Sequence, residues 1–209
     1  IVDNYASNDI DFHKTVADMA GIDRIQAKTI NLGLFYGMGK AKLQAELGLS
    51  TKQEAEALFN QYHDRVPFVR NLMQETSRWA SREGEIRTLL GRGCRFNKWE
   101  PAQFGMHTPM TWEDAVKKYG ENRIRRAFTY KALNKLIQGS AADMTKKSML
   151  DLYKEGIIAH IQIHDELDLS VESPEQAKKV VEIMENAVKL DVPNKVDYES
   201  GKNWGDIYD

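Results

Sequence analysis

An α+β fold is predicted by three features of the 209-residue sequence. From residue 9 to about 83, helix-start and helix-stop signals follow one another without sustained strand-type alternation. At 85–97 the period changes to β-type residues around a Gly91–Gly93 turn. At 161–170, "IQIHDELDLS" sets Ile161, Ile163, Leu167 and Leu169 at alternate positions around an acidic interruption.

Taken in order, Asp9 or Asp11 can cap a short helix through about Ala20, and Asp23 can cap the next, which runs to Tyr36 and stops at "YGMG". "KAKLQAEL" forms a third helix closing at Gly48. Ser50 with Gln53 offers a capping box for a fourth, to about His63. A fifth starts near Pro67, passes through "FVRNLMQETSRWAS" and ends near Glu83.

The hairpin at 85–97 follows, and residues 98–121 resemble a surface insertion, aperiodic apart from "TWEDAVKKY". From about Asn122 to Glu155 the pattern is helical for longer than an ordinary helix, so a break or kink is expected at Gly139 and Ser140. Residues 157–163 and 167–172 are expected to pair, since fifteen unbroken residues would be long for one strand. In a single straight strand Asp165 would share a face with the four apolar residues, where an unpaired carboxylate costs several kcal/mol or neutralises. A turn on His164, Asp165 and Glu166 removes that conflict and leaves a salt bridge or a metal ion as the acids' partner. Ser173, Pro174 and Gln176 then open an amphipathic helix to about Leu190, with a last strand at 195–199.

At 42% hydrophobic and 29% charged, the chain can build a real core in one or two domains. It contains no apolar run near the ~20 residues of a membrane span, and it does not open on a signal-peptide pattern. Cys94 is the single cysteine, which excludes an internal disulfide and suits a reducing compartment such as the cytoplasm. A net charge of −2 requires any nucleic-acid contact to come from local basic patches. The internal "HDEL" is no retention address, and the opening without Met at Ile1 suggests a fragment.

Four groups of residues carry chemistry. Arg24, Lys28, Leu32 and Tyr36 recur every four residues on one helix, with little acidic relief nearby in sequence. Like charges so spaced disfavour a helix by a few tenths of a kcal/mol, so an anion such as a triphosphate would fit there, as would a solvated basic edge. His13 lies one short helix upstream and means little alone. Asn134 and Gln138 share a helix face ahead of "QGSAAD"; paired carboxamides suit the groove acceptors common to every base pair, and equally ordinary polar pairing on a helix. Asp165 and Glu166 are too few for a two-ion site without a further acid on a neighbouring strand, so a salt-bridged turn is an equal reading.

Together these segments resemble family A DNA polymerases, the bacterial DNA polymerase I and phage replicative group. "RIQAKTINLGLFYG" is similar to their fingers-helix motif, "NKLIQGSAAD" to the following palm-helix motif and "IHDEL" to the second catalytic carboxylate motif. "DFHKTVA" is similar to the segment before the fingers helix, and "GEIRTLLGRGCRF" to the family's G-x-x-x-T-L-x-G-R-x-R stretch. The order is the family's, from about residue 9 to the end.

The resemblance implies fingers at 1–83, with a nucleotide-binding helix at 23–36, and a palm portion at 84–209 that carries the insertion at about 98–121 and an antiparallel hairpin with the His-Asp-Glu turn. It implies template-directed addition of deoxynucleotides to a primer 3′-hydroxyl by two-metal phosphoryl transfer. Arg24 and Lys28 would hold the triphosphate, with His13 at its side and Lys28 a candidate proton donor to pyrophosphate. Tyr36 would stack near the template base. Asp165 would bind Mg2+, with two ions in the complete enzyme, and Glu166 would be a secondary neighbour. His164 would lie near the primer terminus, Asn134 and Gln138 would sense the minor groove, and Arg92 and Arg95 would touch the duplex backbone. The implied partners are primer-template DNA, deoxynucleoside triphosphates and an upstream part of the same polymerase.

Three departures qualify the resemblance. Leu32 stands where the family usually has Phe or Tyr, although some phage relatives carry Leu. Tyr130 stands where bacterial members have Arg. The first catalytic Asp belongs to a strand motif that should precede Ile1, and the thumb is also missing, so the isolated chain is expected to have little or no activity. Single-subunit RNA polymerases share the Arg-x-x-x-Lys and Tyr-Gly pattern but tend to Met at the Leu32 position and Ser after His-Asp. A catalytically inactive nucleic-acid-binding remnant is the other alternative, against which the presence of Lys28 and Asp165 argues.

Overall fold

The computed structural model describes residues 11–35, 38–103 and 105–207. These form two compact units, one up to Ser140 and one from Ala141 onward.

Five helices open the first unit: α1 (Phe12–Ala20), α2 (Arg24–Phe35), α3 (Lys40–Glu46), α4 (Lys52–Arg65) and α5 (Pro67–Glu83). Asp11 starts α1 by accepting the amides of His13 and Lys14, and Gly21, at φ 66°, ends it in the left-handed region. Asp23 accepts the Gln26 amide at 2.8 Å while the Gln26 side chain returns to the Asp23 amide, a reciprocal cap for α2. The capping box of α4 lies one residue later than expected: Thr51 and Glu54, not Ser50 and Gln53, exchange the bonds. A carboxylate at Glu54 reaches back to the amides of both Ser50 and Thr51, which stabilises this register. Val16, Ala17, Ala27, Ile30, Leu43, Tyr62, Val66 and Val69 form the core between these helices. Full burial contributes about 1.5–3 kcal/mol for each of the larger aliphatic side chains.

Past Gly84, β1 (Glu85–Arg87) and β2 (Gly93–Arg95) pair antiparallel with Ile86 opposite Cys94, as the hairpin signal predicts. Ile86 and Phe96 pack on Ala80 and Ala132 in a second core. Within the expected surface insertion, the periodic stretch "TWEDAVKKY" forms α6 (Trp112–Tyr119), and β3 (Trp99–Pro101) pairs with β4 (Ile124–Arg126), a segment expected within the long helix. The long helix α7 (Ala132–Lys154) therefore starts ten residues after Asn122. Tertiary pairing overrides helix propensity here, because Glu100 holds Arg125 and the Phe96 carbonyl accepts from Arg126. Of the break or kink expected at Gly139 and Ser140, the break does not occur, since α7 runs through both. A helical glycine costs only about 1 kcal/mol relative to Ala, so it does not by itself end a helix.

In the second unit, the C-terminal part of α7 is followed by β5 (Ile161–Ile163), β6 (Glu166–Asp168) and α8 (Pro174–Asn186). Leu152, Ile157 and Val180 form its core with Leu167, Leu169, Ile183 and Met184. Both strands are shorter than expected, and the turn is His164–Asp165, because Ile163 pairs with Glu166. That one-residue difference changes the faces. A three-residue turn would have aligned all four apolar residues, whereas this register puts Ile161 and Ile163 on the face of Glu166 and Asp168, opposite Leu167. Ser173 caps α8 as expected, but the helix ends at Asn186 and not near Leu190. No strand forms at 195–199; the Val196 amide donates to Glu185 Oε1 and Asn194 Nδ2 to the Met184 carbonyl, so side-chain bonds anchor this segment and no ladder forms.

Candidate active site

The periodicity of α2 divides it into two faces. Ala27, Ile30, Asn31 and Gly33 are buried, whereas Arg24, Lys28 and Leu32 share an exposed row. Tyr36 lies outside the described residues. Lys28 makes no ion pair with a described residue, but Arg24 does: its Nε contacts Asp11 Oδ2. The expected shortage of acidic relief is thus met from the N-cap of α1. Arg24 first, and then the Lys14 amide, hold the Asp11 carboxyl below its usual range against a small opposing effect of burial.

His13 projects from the first turn of α1 and is half-buried. Its Nδ1 lies 3.2 Å from Asn31 Nδ2, and Asn31 Oδ1 accepts from the Tyr62 hydroxyl on α4. Asn31 and Tyr62 are both fully buried. Burial lowers the imidazole pKa, Arg24 and Lys28 push the same way, and Asp11 opposes them. Sequence reasoning missed Asn31 and Tyr62. The available signal was an amide on the apolar face of α2, since a buried amide requires partners.

The β1–β2 turn docks on α7. Arg92 donates to the Gly139 carbonyl at 2.9 Å, and the Leu89 amide donates to Ser140 Oγ at 2.9 Å. The small residues after Gln138 thus admit protein backbone. Arg95 is exposed, 3.8 Å from Glu85. Asn134 is half-buried and Gln138 exposed, one helical turn apart, and Tyr130 is exposed ahead of them.

In the second unit, His164 has a φ of 52°, uncommon for a residue with a Cβ, and its carbonyl accepts from Gln162 Nε2 at 2.5 Å. Asp165 is exposed at the turn and makes no hydrogen bond or ion pair with a described residue. Glu166 begins β6 and is also exposed. Asp168, which sequence reasoning passed over, buries Oδ2 without a hydrogen-bond partner. Among the described residues no group of three His, Cys, Asp or Glu is placed to hold a metal ion. Asp165 supplies one hard oxygen donor of the kind Mg2+ prefers, so it fits as a single ligand that needs a further acid.

None of the described helices is long and apolar enough to cross a membrane. The model of DNA polymerase family A matches residues 4–206. A DNA-directed DNA polymerase of Pseudomonas phage M6 is 34% identical over 93% of this chain and 31% of its own length. The thermostable DNA polymerase I of Thermus filiformis is 35% identical over 93% of this chain and 23% of its own. The POL domain of Pol1 from M. smegmatis, in complex with DNA primer-template and dNTP, superimposes with a TM-score of 0.75 at 27% identity, covering 99% of this chain and 36% of that one. The chain thus spans a third or less of the curated relatives described here.

Proposed function

Since the chain belongs to DNA polymerase family A, we propose that it supplies the fingers, at 1–83, and part of the palm, at 84–209, of an enzyme that performs template-directed DNA synthesis in the cytoplasm. Arg24 and Lys28 on the exposed row of α2 bind the triphosphate of the incoming deoxynucleotide, with His13 at its side. Lys28, with no carboxylate partner among the described residues, is the candidate donor of a proton to pyrophosphate. Leu32, on the same exposed row, meets the nucleotide, and the template base is assigned to Tyr36 by its place in the motif. Asn134, Gln138 and His164 contact primer-template DNA. Arg95 touches the duplex backbone, and Arg92 does so from a turn anchored on α7. Asp165 would hold Mg2+ together with an acid outside the described residues, and Glu166 is a secondary neighbour. Two such ions, when bound, activate the primer 3′-hydroxyl and stabilise the leaving oxygen.

The observation that carries this reading is Asp165, exposed at a turn and paired with no cation among the described residues. Phage and bacterial DNA polymerases among the relatives favour DNA over RNA synthesis. Asp165→Ala in the complete polymerase should cut incorporation by several kcal/mol of barrier, roughly 10³-fold, while sparing DNA binding. Retained turnover would overturn the assignment. Primer extension by the isolated 209-residue chain would overturn the companion expectation that it is inactive alone.

A further inference from the structure

We propose that Asn31 and Tyr62 form a buried relay that sets the tautomer of His13, so that its ring proton sits on Nε2 and His13 meets the triphosphate as a hydrogen-bond donor. The proposal rests on the nucleotide-binding reading above and adds two positioning residues to it. Both are fully buried, on α2 and α4, away from the exposed row of Arg24 and Lys28.

The relay follows from donor and acceptor inventories. Burial raises the Tyr62 pKa, so the phenol keeps its proton and donates to Asn31 Oδ1. The amide is thereby oriented with Oδ1 toward Tyr62 and Nδ2 toward His13. An amide nitrogen has only protons to offer, so the ring atom 3.2 Å away, Nδ1, must present its lone pair. A neutral imidazole with a lone pair on Nδ1 carries its proton on Nε2. Burial above all disfavours a doubly protonated ring; Asp11 opposes this effect, and Arg24 and Lys28 reinforce it. The opposite tautomer, protonated on Nδ1, would turn an Nε2 lone pair toward phosphate, where it repels.

The test uses the 209-residue chain labelled with 15N-histidine. Long-range 1H–15N correlation should show the His13 proton on Nε2; a proton on Nδ1 would overturn the proposal. Tyr62→Phe, which removes only the hydroxyl, should yield mixed tautomers and weaken dGTP binding, read by calorimetry with Mg2+, about 3- to 5-fold. Because Tyr62 reaches the nucleotide only through His13, Tyr62→Phe should have no further effect in a His13→Ala background. An equal loss in both backgrounds would mean a merely structural role and overturn the relay. Lys28→Ala separates the two readings. If it weakens dGTP binding while Tyr62→Phe does not, the relay fails and the nucleotide site stands. If neither variant changes binding, the nucleotide site fails and takes the relay with it.

Discussion

Arg24, the first residue of α2, is ion-paired with Asp11, the residue that caps α1. A phosphate reaching Arg24 therefore meets, at its Nε, a carboxylate that also holds two helical amides. Asp11→Asn keeps a capping oxygen and removes the charge. Triphosphate binding should tighten several-fold in this variant, as measured by calorimetry at low salt. Unchanged or weaker binding would show that Asp11 does not compete with the nucleotide.

Leu32 is exposed on the same row, so a larger ring fits there without displacing core. Leu32→Tyr should increase dideoxynucleotide incorporation by the complete polymerase. Competition between dideoxy- and deoxynucleotides in primer extension reads this directly, and an unchanged ratio would place Leu32 away from the sugar.

A Cβ on Gly139 would stand 2.7 Å from Thr88 Cγ2 and 3.3 Å from Arg92 Nη2. In an open helix Gly→Ala gains about 1 kcal/mol, whereas overpacking here costs about 1–3 kcal/mol. We expect Gly139→Ala to be destabilising on balance by up to about 2 kcal/mol in urea denaturation. Thr88→Ser deletes the clashing methyl but keeps the oxygen that accepts the Arg92 amide. The double variant should recover most of the loss, and failure to recover would place the strain elsewhere.

His63 is buried against the Phe59 ring, centroids 4.4 Å apart, and its Nδ1 has no hydrogen-bond partner. Burial first, and then Arg70, lower its pKa from 6.5 to about 4, against Asp64. Below pH 6.5 the unfolded chain takes up a proton that the folded chain refuses until about pH 4. Stability from this group is therefore complete above pH 6.5 and declines as pH falls through that window. The total is roughly 3 kcal/mol. Denaturation midpoints between pH 7.5 and 4.5 should follow this course, and His63→Phe should flatten it to the smaller slope contributed by His13. A slope unaltered by the substitution would assign the titration to another group.

Much of the helical frame was legible because its signals are local. Asp11, Asp23 and Ser173 each act on amides within a turn, Pro67 presets φ at a first helical position, and the structure places helix starts beside all of them. The Thr51 cap was misplaced by one residue because Ser50 and Thr51 offer the same hydroxyl, and only Glu54 distinguishes them. The ten residues ahead of α7 were misread because Arg125 and Arg126 obey partners at Glu100 and Phe96, far away in sequence.

By itself, the sequence determined the family, the order of its motifs and the exposed row Arg24–Lys28–Leu32, since residue spacing on a helix settles which side chains share a face. Only the tertiary structure decided that Asp11 answers Arg24, that Asn31 joins His13 to Tyr62, and that the hairpin turns on two residues and so sends Ile161 and Leu167 to opposite faces. Those outcomes depend on packing between elements, where charge pairing, amide satisfaction and strand register are chosen by neighbours that no local stretch of chain contains.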